Sequence, residues 1–513
     1  MIHRTNNSIN ASDETQVSVN TVQSKTDKLI FILLPLMVVT SALIFKFAFN
    51  FHMDSDPLWS IGVGEWINTN RAVPHVDVFS WTVAGEQWSS NSWLFCWLMY
   101  LADQSMGYLG IALIIFIPTL AAGYFLYLMC KKYHDSSFSI LLFTVSINLL
   151  VILSIAPRAY IYTFPFIAAI MYLLRFKRDS KWIYTIPLIM LLWVNVQTSI
   201  RFGMAILFVE ALVGTIFYKD RKLWPVVILA FLATLINPYG LGVWDISFAD
   251  FLTPGTPLIA EWRAPDFNSL GVLMLYGVLF IVALVGAYRL KDDLDNRVYD
   301  RDKIMILFWF WAALLYAMTT ARAIAYVMLL LAPFFASFTT ETSREPRFLR
   351  PVYLILVLVL FFTSLTTGYA LFPLETDPQS GKPLRFVEYL QANPTLSDTV
   401  SNIIPSEAVE FIKENPAMSD RLFNSYLFGG YLLYKNIEVF IDARADVFIR
   451  HGVIQDYANL AWLQEKPETI IDKYKIRTFL LSSNENLVYY LDLHPEWQMQ
   501  YEDNTAIIYT KLR

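Results

Sequence analysis

Residues 51–66, FHMDSDPLWSIGVGEW, follow directly on an apolar run from Lys28 to about Phe49, and the fold turns on how they are read. Asp56-Pro57 is a helix start: an aspartate caps the free amides, and proline takes the first helical position, where its missing N–H is no loss. Trp59, Val63 and Trp66 then recur on one face, which predicts an amphipathic helix in a membrane interface with its tryptophans at headgroup depth. The acidic pair Asp54 and Asp56 therefore opens a polar loop immediately after a segment long enough to span a bilayer.

The rest of the chain fits a membrane setting. Of 513 residues, 56% are hydrophobic and 16% charged, against roughly 25% charged in soluble domains. This excludes a disordered chain and a nucleic-acid binder. Residues 1–27 read as a disordered cytoplasmic tail, and the run after them is too long for a signal-peptide core, so it predicts a retained helix. Further spans are predicted near 107–130, 137–155, 160–175, 182–200, 202–218, 224–240, 270–289, 303–319, 322–338 and 351–371, about eleven transmembrane helices over residues 28–371. Alternate loops hold 17 Lys and Arg, while the others hold one arginine each: Arg71, Arg158, Arg201, Arg263 and Arg322. That asymmetry predicts a cytoplasmic N-terminus and an extracytoplasmic segment 372–513. Cys96 and Cys130 lie near opposite ends of one apolar region and cannot pair, which excludes a disulfide framework.

The outer loop 51–106 predicts a structured lid. A turn at Pro74-His75-Val76-Asp77 leads into a hairpin with arms at Phe79–Val83 and Trp88 around Ala84-Gly85-Glu86, and Trp93, Trp97, Tyr100 and Leu101 mark a second interfacial helix. A second long loop, 241–269, carries Glu261-Trp262-Arg263. The segment from Phe372 onward has 13 Lys and Arg against 20 Asp and Glu. Its helices are predicted at Leu384–Ala392, Ser406–Asn415, Asn424–Tyr434, Glu468–Tyr474 and Leu487–Leu493. Strands are predicted at Glu438–Ile441 and Thr478–Leu481, with a final hairpin of Gln498–Tyr501 and Ala506–Thr510, an α/β domain overall.

A large first outer loop with an acidic pair after the first helix resembles the GT-C class of integral membrane glycosyltransferases, which includes the protein O-mannosyltransferases. More closely, the chain resembles a group of poorly characterised bacterial membrane proteins of that layout. The residues that carry the likeness include Asp56-x-x-Trp59, Gly64-Glu65-Trp66-Ile67, Pro74-His75-x-Asp77, Asn237-Pro238-Tyr239-Gly240, Glu261-Trp262 and Phe440-Ile441-Asp442-x-Arg444. The chain departs from that group at Ser60 and at Asn195-Val196-Gln197-Thr198, where histidines are frequent. The resemblance implies a polytopic α-helical, GT-C-like membrane protein with a C-terminal extracytoplasmic α/β domain. Its activity would be transfer of a sugar from a polyprenyl-phosphate carrier to a surface glycan, lipid or protein.

Such transfer needs a carboxylate near the acceptor hydroxyl, as base or through a divalent metal such as Mg or Mn, and cations on the leaving phosphate. Asp54 and Asp56 are the candidate acids and candidate metal ligands; Asp56 also has a capping role, and Asp54 could equally be exposed surface. Arg158, Arg201, Arg263, Arg322 and Lys46 are candidates for the phosphate, because guanidinium binds it bidentately, although each could instead snorkel to lipid or pair with a loop carboxylate. Asp77 is a turn residue or a further acid, and Glu261 lies in the second loop. Glu210 is a carboxylate at bilayer depth, either a buried strut or part of a proton relay. Asp442-Ala443-Arg444-Ala445-Asp446 stands at the end of a predicted strand and reads as an internal Asp–Arg pair or a ligand site. The rival functions are a transporter or flippase of a lipid-linked glycan and a non-catalytic envelope assembly factor.

Overall fold

The computed structural model describes residues 56–133, 150, 158–252, 262–296, 300–338 and 404–512, with backbone alone at 56, 108 and 249–252. Lys46, Asp54, Glu261 and the predicted spans 28–49, 137–155 (Leu150 apart) and 351–371 lie outside the described residues.

Helix α1 spans Asp56–Asn70, with Pro57 in its first turn. Helix α2, Trp93–Tyr133, is kinked at Gly107, whose φ of 52° suits a residue without Cβ. Its first part belongs to the loop, and its second, Leu109–Tyr133, is long and apolar enough to cross a membrane. Five more segments meet that standard among the described residues: Ala159–Phe176, Ile200–Tyr218, Leu270–Asp295, Arg301–Thr319 and Ala321–Phe338. Within these lie α3 (Thr163–Phe176), α5 (Ile200–Tyr218), α8 (Leu270–Asp295), α9 (Arg301–Thr319) and α10 (Ile324–Phe338). Between them come α4 (Ile186–Val196), α6 (Trp224–Thr234) and α7 (Gly242–Leu252).

Predicted spans 182–200 and 224–240 are shorter apolar helices, Lys181–Val196 and Trp224–Thr234, so the count of eleven is not established. The second stops early because Asn237 closes a turn, donating to Thr234 O at 2.7 Å and Gly240 O at 3.0 Å and accepting Tyr239 N at 2.7 Å. Its 11 residues reach about 16 Å, short of a ~30 Å hydrocarbon core.

The C-terminal domain is a four-stranded mixed sheet, order β1-β2-β4-β3, of Leu422–Asn424, Thr478–Ser482, Trp497–Glu502 and Ala506–Lys511. β1 and β2 are parallel, and β4 pairs antiparallel with both β2 and β3. Helices α11 (Ser406–Glu414), α12 (Gly429–Tyr434), α13 (Ala445–Arg450), α14 (Val453–Ala461), α15 (Pro467–Tyr474) and α16 (Asn486–Leu493) surround it. The predicted helix Asn424–Tyr434 is therefore a strand end, a 3-10 turn and the six-residue α12. Phe423 registers with Phe479, and the Ser425 amide continues the pairing to Leu480 O at 2.9 Å.

Predicted strand Glu438–Ile441 joins no sheet. Val439 instead pairs with the first loop, accepting from Trp81 N at 3.1 Å and donating to Phe79 O at 3.2 Å. The predicted loop hairpin forms in another register: His75–Asp77 pairs with Glu86–Trp88 (Asp77 N to Glu86 O 2.8 Å, Trp88 N to His75 O 3.1 Å), which frees residues 78–83 to dock on the C-terminal domain.

Candidate functional site

Helix α1 lies between two protein surfaces rather than against open interface. A Cβ at Gly64 would meet the backbone carbonyl of Cys96 on α2, and one at Gly62 would meet the Leu433 side chain on α12, so two bare positions let both neighbours approach. Trp93 and Trp97, read as interfacial, donate to Asn195 at 3.2 Å and Asn68 at 3.3 Å, tying the start of α2 to its neighbours.

The loop and the C-terminal domain are joined by a buried ionic clamp. The Arg444 guanidinium donates to both Asp442 oxygens, from Nε at 3.0 Å to each and from Nη2 at 2.8 Å, and its Nη1 pairs with Asp77 Oδ1. Asp77 Oδ2 accepts from the Ser80 amide at 2.9 Å and hydroxyl at 2.6 Å. The guanidinium lies 4.9 Å from the Phe79 ring centre and 4.7 Å from that of Trp88. Burial disfavours its charge, but Asp442 and Asp77 outweigh burial and hold Arg444 above its ordinary range. Trp81 Nε1 reaches Leu422 O at 3.0 Å and Thr82 reaches Phe440 O at 2.7 Å, completing the seam.

A cavity of 150 Å³ opens where this seam meets the helical region. Trp59 and Ser60 of α1 form one part of the wall, with Trp88, Asn91, Ser92 and Phe95 from the loop and the start of α2. Arg158, Ala159 and Tyr160, Gln197, Trp262 and Arg322 come from the ends of membrane segments, and Ala443–Asp446 from the C-terminal domain. Arg322 stands 5.3 Å from the Tyr160 ring centre and 5.9 Å from that of Trp262. Gln197 is held in its turn by the Ser199 amide at 2.6 Å. The result is a polar and aromatic pocket with three arginines, of which Arg444 is engaged in the clamp, and one carboxylate, Asp446, on its described wall.

The predicted site residues divide accordingly. Arg158 and Arg322 share the cavity. Arg263 is a neighbour of Arg322 through its carbonyl, which accepts from Ala321 N at 2.8 Å, but it does not line the cavity. Arg201 is turned to the Ser247 carbonyl on α7. Asp56 opens α1 one turn ahead of Ser60. Asp77 belongs to the clamp, both of its carboxylate oxygens in use. Glu210, on α5, pairs with Arg175, with Arg178 at 3.1 Å and with Arg301 at 3.8 Å, joining α3, α5 and α9 in a buried network that includes Asp302. Its arginines are among those the loop count assigns to the cytoplasmic side.

Of the other members, Tyr160 is not singled out by sequence reading, whereas Ser60 and Gln197 enter there as departures from the resemblance, Trp262 as part of a motif and Asp446 as the end of a possible ligand site. Asp446 follows in the run Asp442-Ala443-Arg444-Ala445-Asp446, so its motif was visible and its direction was not. Among the described residues no three His, Cys, Asp or Glu side chains converge, so the described wall does not by itself make a metal site.

No family model matches the chain, and no curated protein sequence does. Solved structures do match. The oligosaccharyltransferase AglB of Archaeoglobus fulgidus, in complex with an inhibitory peptide and a dolichol-phosphate, aligns over 95% of this chain and 75% of its own at TM-score 0.58 and 10% identity. An Archaeoglobus fulgidus oligosaccharyltransferase in complex with Zn and sulfate aligns over 94% and 73% at TM-score 0.56 and 12% identity. ArnT of Cupriavidus metallidurans, bound to undecaprenyl phosphate, aligns over 93% and 97% at TM-score 0.50 and 10% identity. The likeness establishes the fold: this is a polytopic helical membrane protein of the GT-C architecture, with a C-terminal domain built on a small sheet.

Proposed function

We propose that the protein is a membrane glycosyltransferase that binds a polyprenyl-phosphate-linked sugar in the cavity and passes the sugar to a glycan, lipid or protein acceptor. The observation that carries this is the convergence of Arg158 and Arg322 on one cavity, in a fold shared with proteins whose structures hold dolichol-phosphate and undecaprenyl phosphate. The loop charges support a cytoplasmic N-terminus and an extracytoplasmic C-terminal domain, which puts the cavity at the outer face.

In the proposed reaction the acceptor oxygen attacks the anomeric carbon, the bond from that carbon to the phosphate oxygen breaks, and the phosphate leaves with the electron pair. Asp54 takes the acceptor proton, with Asp56 beside it at the head of α1. Arg158 and Arg322 offset the charge that grows on the leaving phosphate, and Arg201, Arg263 and Lys46 add positive potential around it. A divalent ion, Mg or Mn, would rest on Asp54 and Asp56; the described wall adds Asp446 and no further carboxylate, so the steps above run through side chains alone. The transporter alternative leaned on Glu210, whose partners are three arginines of a buried network.

The test is transfer in membranes supplied with polyprenyl-phosphate-linked radiolabelled mannose, glucose or N-acetylglucosamine. Changing Asp54→Asn and Asp56→Asn together is expected to lower transfer by a factor of 100 or more, on the order of the ~10²–10⁴ a positioned base supplies. Full activity of the inserted double variant rules the assignment out.

A further inference from the structure

We infer that Asp446 of the C-terminal domain is an acceptor-positioning residue of the cavity: its carboxylate receives a hydrogen bond from the acceptor hydroxyl and orients it toward the sugar. The inference rests on the glycosyltransferase reading. It starts from where the residue stands. Asp446 is the one carboxylate on the described wall, and it shares that wall with Arg158 and Arg322, the cations assigned to the phosphate.

An aspartate in the first turn of a helix is ordinary, since it complements the helix dipole, and Asp446 is in the first turn of α13. That local role is satisfied equally by a side chain turned to solvent. Asp446 is instead half-buried on a wall with Ser60, Ser92, Trp59 and Trp88. Neutral hydroxyls and indole faces of this kind suit a sugar or another polyol.

The second observation is how its backbone is held. Arg444, two residues earlier, is fixed by Asp442 from its own domain and by Asp77 from the first loop. The position of Asp446 relative to α1, and so to Asp56 at its head, is set by a buried ionic contact across the seam. A carboxylate is a strong acceptor for a hydroxyl, and hydrogen bonds to charged groups are worth more than neutral ones. With the donor phosphate claimed by Arg158 and Arg322, the one carboxylate on the same described wall is the place for the attacking group.

The experiment uses the full-length protein in nanodiscs with two readouts: binding of tritiated undecaprenyl phosphate, and transfer of label in native membranes from the lipid-linked sugars named above. Asp446→Asn is expected to bind undecaprenyl phosphate within about twofold of the native protein while transfer falls about tenfold to a hundredfold, the range of a lost charge-assisted hydrogen bond. Asp446→Glu, which keeps the charge, should recover part of the transfer with the unfolding midpoints of both variants at the native value; a loss of transfer that tracks a lowered midpoint marks a helix-dipole role and overturns the inference. Native rates for Asp446→Asn overturn the inference and leave the glycosyltransferase reading standing, as does an equal loss of undecaprenyl phosphate binding. If the native protein neither binds undecaprenyl phosphate nor transfers any of the sugars, the reading beneath the inference fails and takes it along.

Discussion

Arg444 shows what a single buried charge does in this molecule. It is 2% exposed and its partners Asp77 and Asp442 are 1% and 0% exposed, so the triad carries a net negative charge in the interior. Ser80 and the Arg444 amide, which donates to Asp442 Oδ1 at 2.8 Å, supply the remaining hydrogen bonds. Buried pairs add little over apolar replacements, but removing one partner strands the other. Arg444→Met is therefore expected to cost about 3–5 kcal/mol, read as a lower thermal unfolding midpoint of the full-length protein; an unchanged midpoint would mean the clamp is dispensable. The turn role of Asp77 was legible, because Ser80 is three residues away, as was an Asp442–Arg444 pair. The bond from residue 77 to residue 444 left no mark in the local sequence.

At the scale of elements, the same logic applies to the Glu210 network. Hydropathy alone made this residue a carboxylate in a membrane span, with strut and proton relay both open. Packing supplies three arginines from α3, the loop after it and α9, which accounts for a fully buried charge without a proton path. Glu210→Gln is expected to lower stability by roughly 3 kcal/mol, seen as a lower unfolding midpoint, while undecaprenyl phosphate binding persists below that temperature. Binding lost at an unchanged midpoint would instead put Glu210 on a substrate path. The helices that sequence placed well, α1, α5, α9 and α15, carry their own start signals or sustained apolar runs. Those it misjudged, Asn424–Tyr434 and Glu438–Ile441, are extended or helical according to a partner elsewhere: β2 for the first and the loop at Ser80 for the second.

For the whole molecule, the first loop and the C-terminal domain form one unit across the helical region. Trp81 is bound to Leu422 and meets Phe440 edge-to-face at 5.4 Å, Thr82 is bound to Phe440, and Val439 to Phe79. Removing residues 404–513 is expected to make loop 71–92 protease-sensitive and to weaken undecaprenyl phosphate binding, because the cavity loses the wall at Ala443–Asp446. A loop as protected as in the full chain would show that the two fold independently.

Sequence by itself determined that this is a membrane protein with a large first loop, that a helix begins at Asp56-Pro57, and that an acidic domain of mixed α and β structure follows the spans. Those properties are summed or repeated along neighbouring residues, so hydropathy, period and charge record them. Only the tertiary structure decided that Arg158 and Arg322 share a cavity while Arg201 turns to α7, that Asp77 belongs to a clamp, and that Asp446 faces the site. Each depends on contacts between residues far apart in the chain, where direction and distance are fixed by packing and have no local signal.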